Sequence, residues 1–147
     1  MRALRKFLGD RRGAAAVEFA LVIVPLLLFV FGTIEFSRLL WTRQSMQSLA
    51  ISAARCVGIL QPSCTSGTAY NEANTKSYII ARAAGFGVPL STSNITITTT
   101  ATVAECRVTG FSKVTINYTF TSIAPKLITA LAASKNLTTS ACFPNQI

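Results

Sequence analysis

The most apolar part of the chain lies close to its N-terminus. Residues 14–34 read AAAVEFALVIVPLLLFVFGTI and contain one charged side chain, Glu18. At about 1.5 Å per helical residue, this segment spans about 31 Å, close to the thickness of a bilayer's hydrocarbon core. The pattern therefore predicts a helix that crosses a membrane.

The helical period continues beyond this apolar segment. Six apolar side chains recur on one stripe of a helix: Leu39, Met46, Leu49, Ala50, Ala53 and Val57. We therefore predict a single helix over residues 14–57, apolar throughout its first part and amphipathic in its second, with Gly58 as the stop. Pro25 removes one backbone donor and predicts a bend within it.

The pattern changes after Gly58. Residues 61–68, QPSCTSGT, are rich in Ser, Thr, Gly and Pro and indicate a loop. Residues 69–84 predict a short helix that ends at Gly85, where the lack of a side chain suits a left-handed cap.

The last part of the chain alternates between polar and apolar residues. Residues 94–110 and 111–120 have period two and are rich in Thr, Val and Ile, which predicts two antiparallel strands that turn near Gly110. A short helix over 125–135 and a last strand over 137–143 would follow. The predicted fold class is α+β: a long N-terminal transmembrane and assembly helix carrying a small extracytoplasmic head built on an antiparallel sheet.

The positive charge is concentrated before the apolar segment. The chain has a formal net charge of +9, and residues 1–13 hold five basic side chains and one acidic one. The remaining charges are scattered, so no basic stripe points to a nucleic-acid partner. This positive-inside pattern predicts a cytoplasmic leader (1–13), a transmembrane and stalk helix (14–57) and an extracytoplasmic domain (58–147).

A secretory signal peptide shares the basic start and the apolar run, but it fits less well. The run is long for such a signal, and Phe31, Ile34 and Phe36 stand where a cleavage site would need small residues. Within the helix, Glu35 is expected to pair with Arg38 at i, i+3.

Four cysteines lie beyond the apolar segment, and the chain has no histidine. Without histidine or a CxxC pair, no metal site or cofactor is predicted. An oxidising compartment would favour two disulfides, and we favour Cys56–Cys64 and Cys106–Cys142. Three pairings are possible for four cysteines, and the sequence alone does not choose between them.

The junction between the leader and the apolar run reads RRG–AAAVEFALV, with Glu18 as the fifth residue after Gly13. This resembles the prepilin peptidase site of type IV pilins, where the leader is cut after the glycine. The resemblance implies cleavage between Gly13 and Ala14, and the new amino group of a neighbouring subunit would pair with Glu18. A lone glutamate near the end of a span could instead reach the headgroups by snorkelling.

The wider segment resembles the N-terminal signature of TadE-like proteins, minor pilins or pseudopilins of the tight-adherence (Flp) pilus. The residues that carry the resemblance are Val17, Glu18, Phe19, Ala20, Leu21, Pro25, Gly32 and Glu35. The resemblance implies prepilin peptidase, other pilin subunits, the Tad assembly machinery and inner-membrane lipid as partners. It also implies a single-pass protein of a bacterial inner membrane, with a periplasmic or extracellular head that can enter a surface pilus.

Two other classes of function are compatible with parts of the sequence. An uncleaved single-pass anchor that displays a binding domain would have the same topology, but it leaves Gly13 and Glu18 unexplained. An enzyme is not expected, because no nucleophile has an identifiable base and the head contains only Glu72 and Glu105 as acids. Three N-x-T sequons, at Asn94, Asn117 and Asn136, are attributed to chance in a threonine-rich chain, whose strands usually just expose hydroxyls.

Overall fold

The structure is a computed structural model that describes residues 13–122 and 135–146. It consists of a long N-terminal helix and a small head with antiparallel sheets, so the α+β class is confirmed. The predicted helix over 125–135 lies almost entirely outside the described residues.

Helix α1 spans Ala14–Gly58 and is about 67 Å long at 1.5 Å per residue. It contains Pro25 and ends one residue beyond the predicted limit. Its first part is exposed along its length, whereas the second part, Glu35–Gly58, packs against the head and is called the stalk here. Five of the six residues on the predicted stripe are buried, and Leu39 is half-buried.

Within the described residues, the head contains two sheets and two further α-helices. The elements after α1 are β1 (Thr65–Ser66), β2 (Ala69–Tyr70), α2 (Glu72–Gly85), β3 (Ile95–Ala101), α3 (Val103–Cys106), β4 (Phe111–Phe120) and β5 (Lys135–Pro144). Short 3-10 turns cover Pro62–Cys64 and Thr92–Asn94. Strands β1 and β2 pair with each other, and the larger sheet has the antiparallel order β3-β4-β5.

The core forms where the stalk crosses one face of the larger sheet. Met46, Leu49 and Ala53 of the stalk belong to the same buried cluster as Val114 and Ile116 of β4. Alternation along β4 is strict from Ser112 to Ile116, because every second side chain is buried against the stalk. The inner face of the sheet is therefore mostly apolar, with Ser112 and Thr139 as buried polar residues, and its other face is mostly polar.

Helix α2 lies beside the stalk and is capped as the sequence allows. The side chain of Asn71 accepts a hydrogen bond from the backbone N–H of Asn74 at 2.9 Å, and Lys76 pairs with Glu72 at 2.6 Å. The predicted left-handed cap at Gly85 is wrong. The helix does end at Gly85 as predicted, but the left-handed residue is Gly87, with φ +73°, two residues further along.

The strand predicted over 94–110 is also too long, because β3 ends at Ala101 and the short helix α3 follows. Thr102 and Glu105 form a reciprocal cap: the Thr102 N–H donates to the Glu105 carboxylate at 3.0 Å, and the Glu105 N–H donates to the Thr102 carbonyl at 3.0 Å. The T-x-x-E spacing that makes this cap was visible in the sequence. These local hydrogen bonds therefore end strand β3, although the alternating sequence pattern continues beyond Ala101.

Candidate processing and assembly site

Gly13 stands at the start of α1, and its geometry does not require a glycine. Its φ is −84° and its ψ −12°, in the region that every residue adopts. A Cβ atom placed on Gly13 would have no heavy atom of the described part of the chain within 4 Å. Neither its backbone conformation nor its packing against the described residues therefore requires glycine at this position.

Glu18 lies in the first turns of α1, where the helix carries no other charged side chain between residues 14 and 34. Its side chain is exposed, as are the large apolar residues around it, among them Val17, Phe19 and Leu21. Ala14 is the first helical residue, so Glu18 is one turn further along at i, i+4. The first part of α1 is thus an uncovered apolar helix with one acidic group near its beginning.

Only one helix within residues 13–122 and 135–146, Ala15–Gly58, is long and apolar enough to cross a membrane. Its most apolar window is not buried against the head. An uncovered apolar surface of this length is expected where lipid or other helices surround it.

At the outer end of this apolar part, Glu35 joins the helix to the head. Its carboxylate accepts a hydrogen bond from the Arg38 guanidinium at 3.0 Å, the i, i+3 pair expected from the sequence. The Arg38 guanidinium also lies 5.6 Å from the ring centre of Phe120 on β4. Glu35 is buried, whereas the Arg38 side chain remains 41% exposed. Sequence reasoning missed the Phe120 contact, because it depends on how β4 packs on the stalk.

Trp41 lies in the same part of the stalk as Arg38, one helical turn further along. Its side chain is exposed, and its indole N–H donates to the Phe86 carbonyl at 3.4 Å, a long hydrogen bond. A tryptophan with one polar handle is a typical residue of the membrane–water interface. This level of the protein contains the turn after α2, which includes the left-handed Gly87.

The four cysteines form two disulfides in the structure. Cys56, in the last turn of α1, is joined to Cys64 in the following 3-10 turn, and both are fully buried. Cys106 of α3 is joined to Cys142 of β5, with 6.0 Å between their Cα atoms. These are the two pairs favoured from the sequence. The second pair ties α3, rather than a strand, to the last strand.

The described residues contain no group of three or more His, Cys, Asp or Glu side chains that could hold a metal ion. Glu105, the acid of the α3 cap, lies at the surface. The Thr102 backbone N–H lowers the pKa of its carboxyl, and Lys113 lowers that pKa further. Burial raises the pKa of Tyr70, and nearby Glu72 adds to this effect. Neither Glu105 nor Tyr70 lies in the first part of α1.

Comparison with known proteins bears on this same helix. The family model of TadE-like proteins matches residues 13–55, which run from Gly13 through the apolar part into the stalk. Neither the search of curated proteins nor the search of solved structures found a match. TadE-like proteins are structural components involved in assembly of the Tad (Flp) pilus rather than enzymes, which points to pilins and the Tad machinery as partners. The matched residues 13–55 lie on the exposed, membrane-length apolar helix, and this similarity supports a TadE-like protein of the Tad pilus system.

Proposed function

We propose that this protein is a minor pilin, or pseudopilin, that prepilin peptidase cleaves after Gly13 before it takes part in pilus assembly. The observation that carries the proposal is the start of α1: the helix begins at Ala14, directly after a glycine that the fold does not need. A protease that binds an extended chain at the membrane surface needs close backbone approach, which glycine permits.

Glu18 supports the assembly step. A carboxylate in the hydrocarbon region costs about 2.5–3.5 kcal/mol on insertion scales, so a function that offsets this cost is expected. Cleavage would create an α-amino group at Ala14, and the amino group of one subunit can pair with Glu18 of the next. Such a pair offsets the burial of both charges and sets the axial register between subunits.

The proposed topology follows from the charge before α1 and the disulfides after it. The basic residues of 1–13 hold the leader in the cytoplasm, and the head after Gly58 lies in the periplasm or outside the cell. Disulfides persist in oxidising compartments, and Cys56–Cys64 and Cys106–Cys142 both belong on that side. The apolar part of α1 stays in the inner membrane until the subunit enters a filament.

The test is the N-terminal sequence and intact mass of the protein, expressed in membranes with and without a prepilin peptidase. We expect a chain that starts at Ala14 only when the peptidase is present. Gly13→Leu should remain uncleaved. Gly85→Leu is the matched control, because Gly85 also has open space around its Cβ position, and it should be cleaved normally.

An unprocessed wild-type chain, a cut beyond residue 34, or normal cleavage of Gly13→Leu would each contradict the proposal. The first outcome would favour an uncleaved anchor that displays the head. Glu18→Gln separates processing from assembly: it should be cleaved at the normal site but should no longer co-purify with pilus subunits. If Glu18→Gln and wild type co-purified equally with pilus subunits, the proposed pairing of Glu18 with the amino group would be contradicted.

A further inference from the structure

The face of the larger sheet that points away from the stalk carries mostly hydroxyl and carboxamide groups, with Phe111, Cys142 and Pro144 on the same side at one end of β4 and β5. We call it the outer face; its side chains come from alternate positions 96 and 98 of β3, 113–119 of β4 and 136–140 of β5. These positions are occupied by Thr, Asn and Ser, apart from Lys113. No apolar side chain occurs among these positions, although the opposite face of the same strands forms the core.

The groups of the outer face are arranged in register across the strands. Thr96 is opposite Thr115, and Thr115 is opposite Ser140, which aligns three hydroxyls across the sheet. Neighbouring strands lie about 4.8 Å apart, so the hydroxyls repeat at about that interval. The outer face is therefore a regular array of groups that both donate and accept hydrogen bonds.

All three N-x-T asparagines meet at one end of this face. Asn94, Asn117 and Asn136 line a cavity of about 280 Å³, together with Tyr118, Thr119, Leu137 and Thr138. Asn117 and Asn136 are exposed, and Asn94 is half-buried. The three asparagines are far apart in sequence, and only the strand register brings them together.

Two cross-strand hydrogen bonds hold the carboxamides of Asn117 and Asn136 in place, whereas Asn94 Oδ1 accepts from Ser91. The Thr138 hydroxyl donates to Asn117 Oδ1 at 2.8 Å, and the Thr119 hydroxyl donates to Asn136 Oδ1 at 2.9 Å. Side chains that are already ordered lose less conformational entropy when a ligand binds. The cavity thus presents preorganised amide groups on a rigid sheet.

The charge of the outer face decides what kind of partner fits it. Lys113 is the single charged residue at the outer-face positions defined above, and its ammonium lies 3.8 Å from the Glu105 carboxylate. Nucleic acids and anionic lipids require unpaired basic groups, and the core of a protein interface is normally apolar or aromatic. A neutral, hydroxyl-rich partner is complementary to this surface in both charge and hydrogen bonding.

We propose that the outer face of the β3-β4-β5 sheet, with the Asn94–Asn117–Asn136 cavity, binds a neutral polysaccharide. Sugar hydroxyls donate and accept at once, as carboxamides and threonine hydroxyls do. The inference goes beyond the proposed role in pilus assembly and does not depend on cleavage at Gly13.

The test is retention of the full-length protein, purified in detergent, on insoluble neutral polysaccharides: cellulose, chitin and mannan beads, with alginate as an anionic comparison. We expect binding to at least one neutral polysaccharide. Asn117→Ala with Asn136→Ala should weaken it about tenfold, since each lost hydrogen bond contributes modestly. The control pair, Thr68→Ala with Ser77→Ala, removes exposed hydroxyls elsewhere on the head and should leave binding unchanged.

Thr115→Val keeps the shape and the strand propensity of the residue but removes the central hydroxyl, so it tests the same face if the double variant does not fold. It should also weaken retention. No retention of wild type on any neutral polysaccharide, binding to alginate alone, or equal binding by outer-face and control variants would overturn the proposal. Loss of self-association in the outer-face variants, measured by sedimentation velocity without any change in polysaccharide retention, would overturn it in favour of an interface between copies.

Discussion

Gly58, the last residue of α1, is predicted to be a position where any side chain destabilises the head. A Cβ atom there would lie 2.6 Å from Cδ1 of Phe143 and 2.8 Å from the carbonyl oxygen of Pro144. The Gly58 carbonyl also accepts a hydrogen bond from the Gln146 N–H at 2.9 Å. The end of the stalk and the end of β5 therefore touch through backbone, and only glycine permits this distance.

The cost of Gly58→Ala follows from these contacts. Adding a methyl group to a closely packed site costs about 1–3 kcal/mol, because side chains and backbone must shift. A gain of up to about 1 kcal/mol from better helix propensity opposes it. We expect a net loss of about 1–2 kcal/mol in the free energy of unfolding, because the Pro144 carbonyl belongs to the backbone and cannot rotate away.

The assay is denaturant unfolding of the full-length protein in detergent, followed by the fluorescence of Trp41. Trp41 is the only tryptophan, and its indole contacts the Phe86 carbonyl, so its emission should change when the head leaves the stalk. Unfolding curves from fluorescence and from circular dichroism should coincide if the head unfolds in one step.

Gly85→Ala is the matched control, because its Cβ position is open and the residue belongs to a helix. It should leave stability unchanged or raise it by up to about 1 kcal/mol. Adding Phe143→Leu to Gly58→Ala should not restore full stability, since the clash with Pro144 remains. A Gly58→Ala protein as stable as Gly85→Ala would refute the predicted contact between the stalk and β5.

Two further predictions concern the α3 turn and its disulfide. Replacing Cys106 and Cys142 by Ala should lower the free energy of unfolding by about 4 kcal/mol in the chain-entropy model, because this disulfide spans 36 residues; unchanged denaturant midpoints in oxidised and reduced protein would contradict it. The lowered pKa of Glu105 should appear as an NMR titration midpoint below its ordinary value of 4.5. The carboxylate therefore stabilises the turn above pH 4.5, and the contribution is lost as the pH falls through the lowered pKa; a midpoint at or above 4.5 would contradict this.

Much of α1 could be predicted because its determinants are local. An uninterrupted apolar run, the stripe from Met46 to Val57 and the stop at Gly58 are all sequence patterns of a single helix. The junction at Gly13 and Glu18 is also a local motif, and the TadE-like match covers this same segment. Such features depend on neighbours within a few turns of one helix, so they can be predicted without knowledge of the tertiary fold.

Predictions for the head were less accurate at the ends of its elements. The alternating polar and apolar residues predicted β4 correctly. They did not predict that β3 ends at Ala101, because the T-x-x-E cap at Thr102 satisfies backbone groups that a longer strand would have paired with its neighbour. The left-handed residue was placed at Gly85 instead of Gly87 for a similar reason. At element ends, local hydrogen bonds worth about 1 kcal/mol compete, and pattern alone does not decide which prevails.

The sequence by itself determined the long helix and its apolar surface, since hydrophobicity acts along one segment. Tertiary structure decided every relation between distant segments. Only packing brings Arg38 over Phe120, sets Gly58 against the end of β5, and gathers Asn94, Asn117 and Asn136 at one end of the outer face. These contacts depend on strand register and on the angle of the stalk across the sheet, and a slip of one residue would turn each strand's side chains to the opposite face.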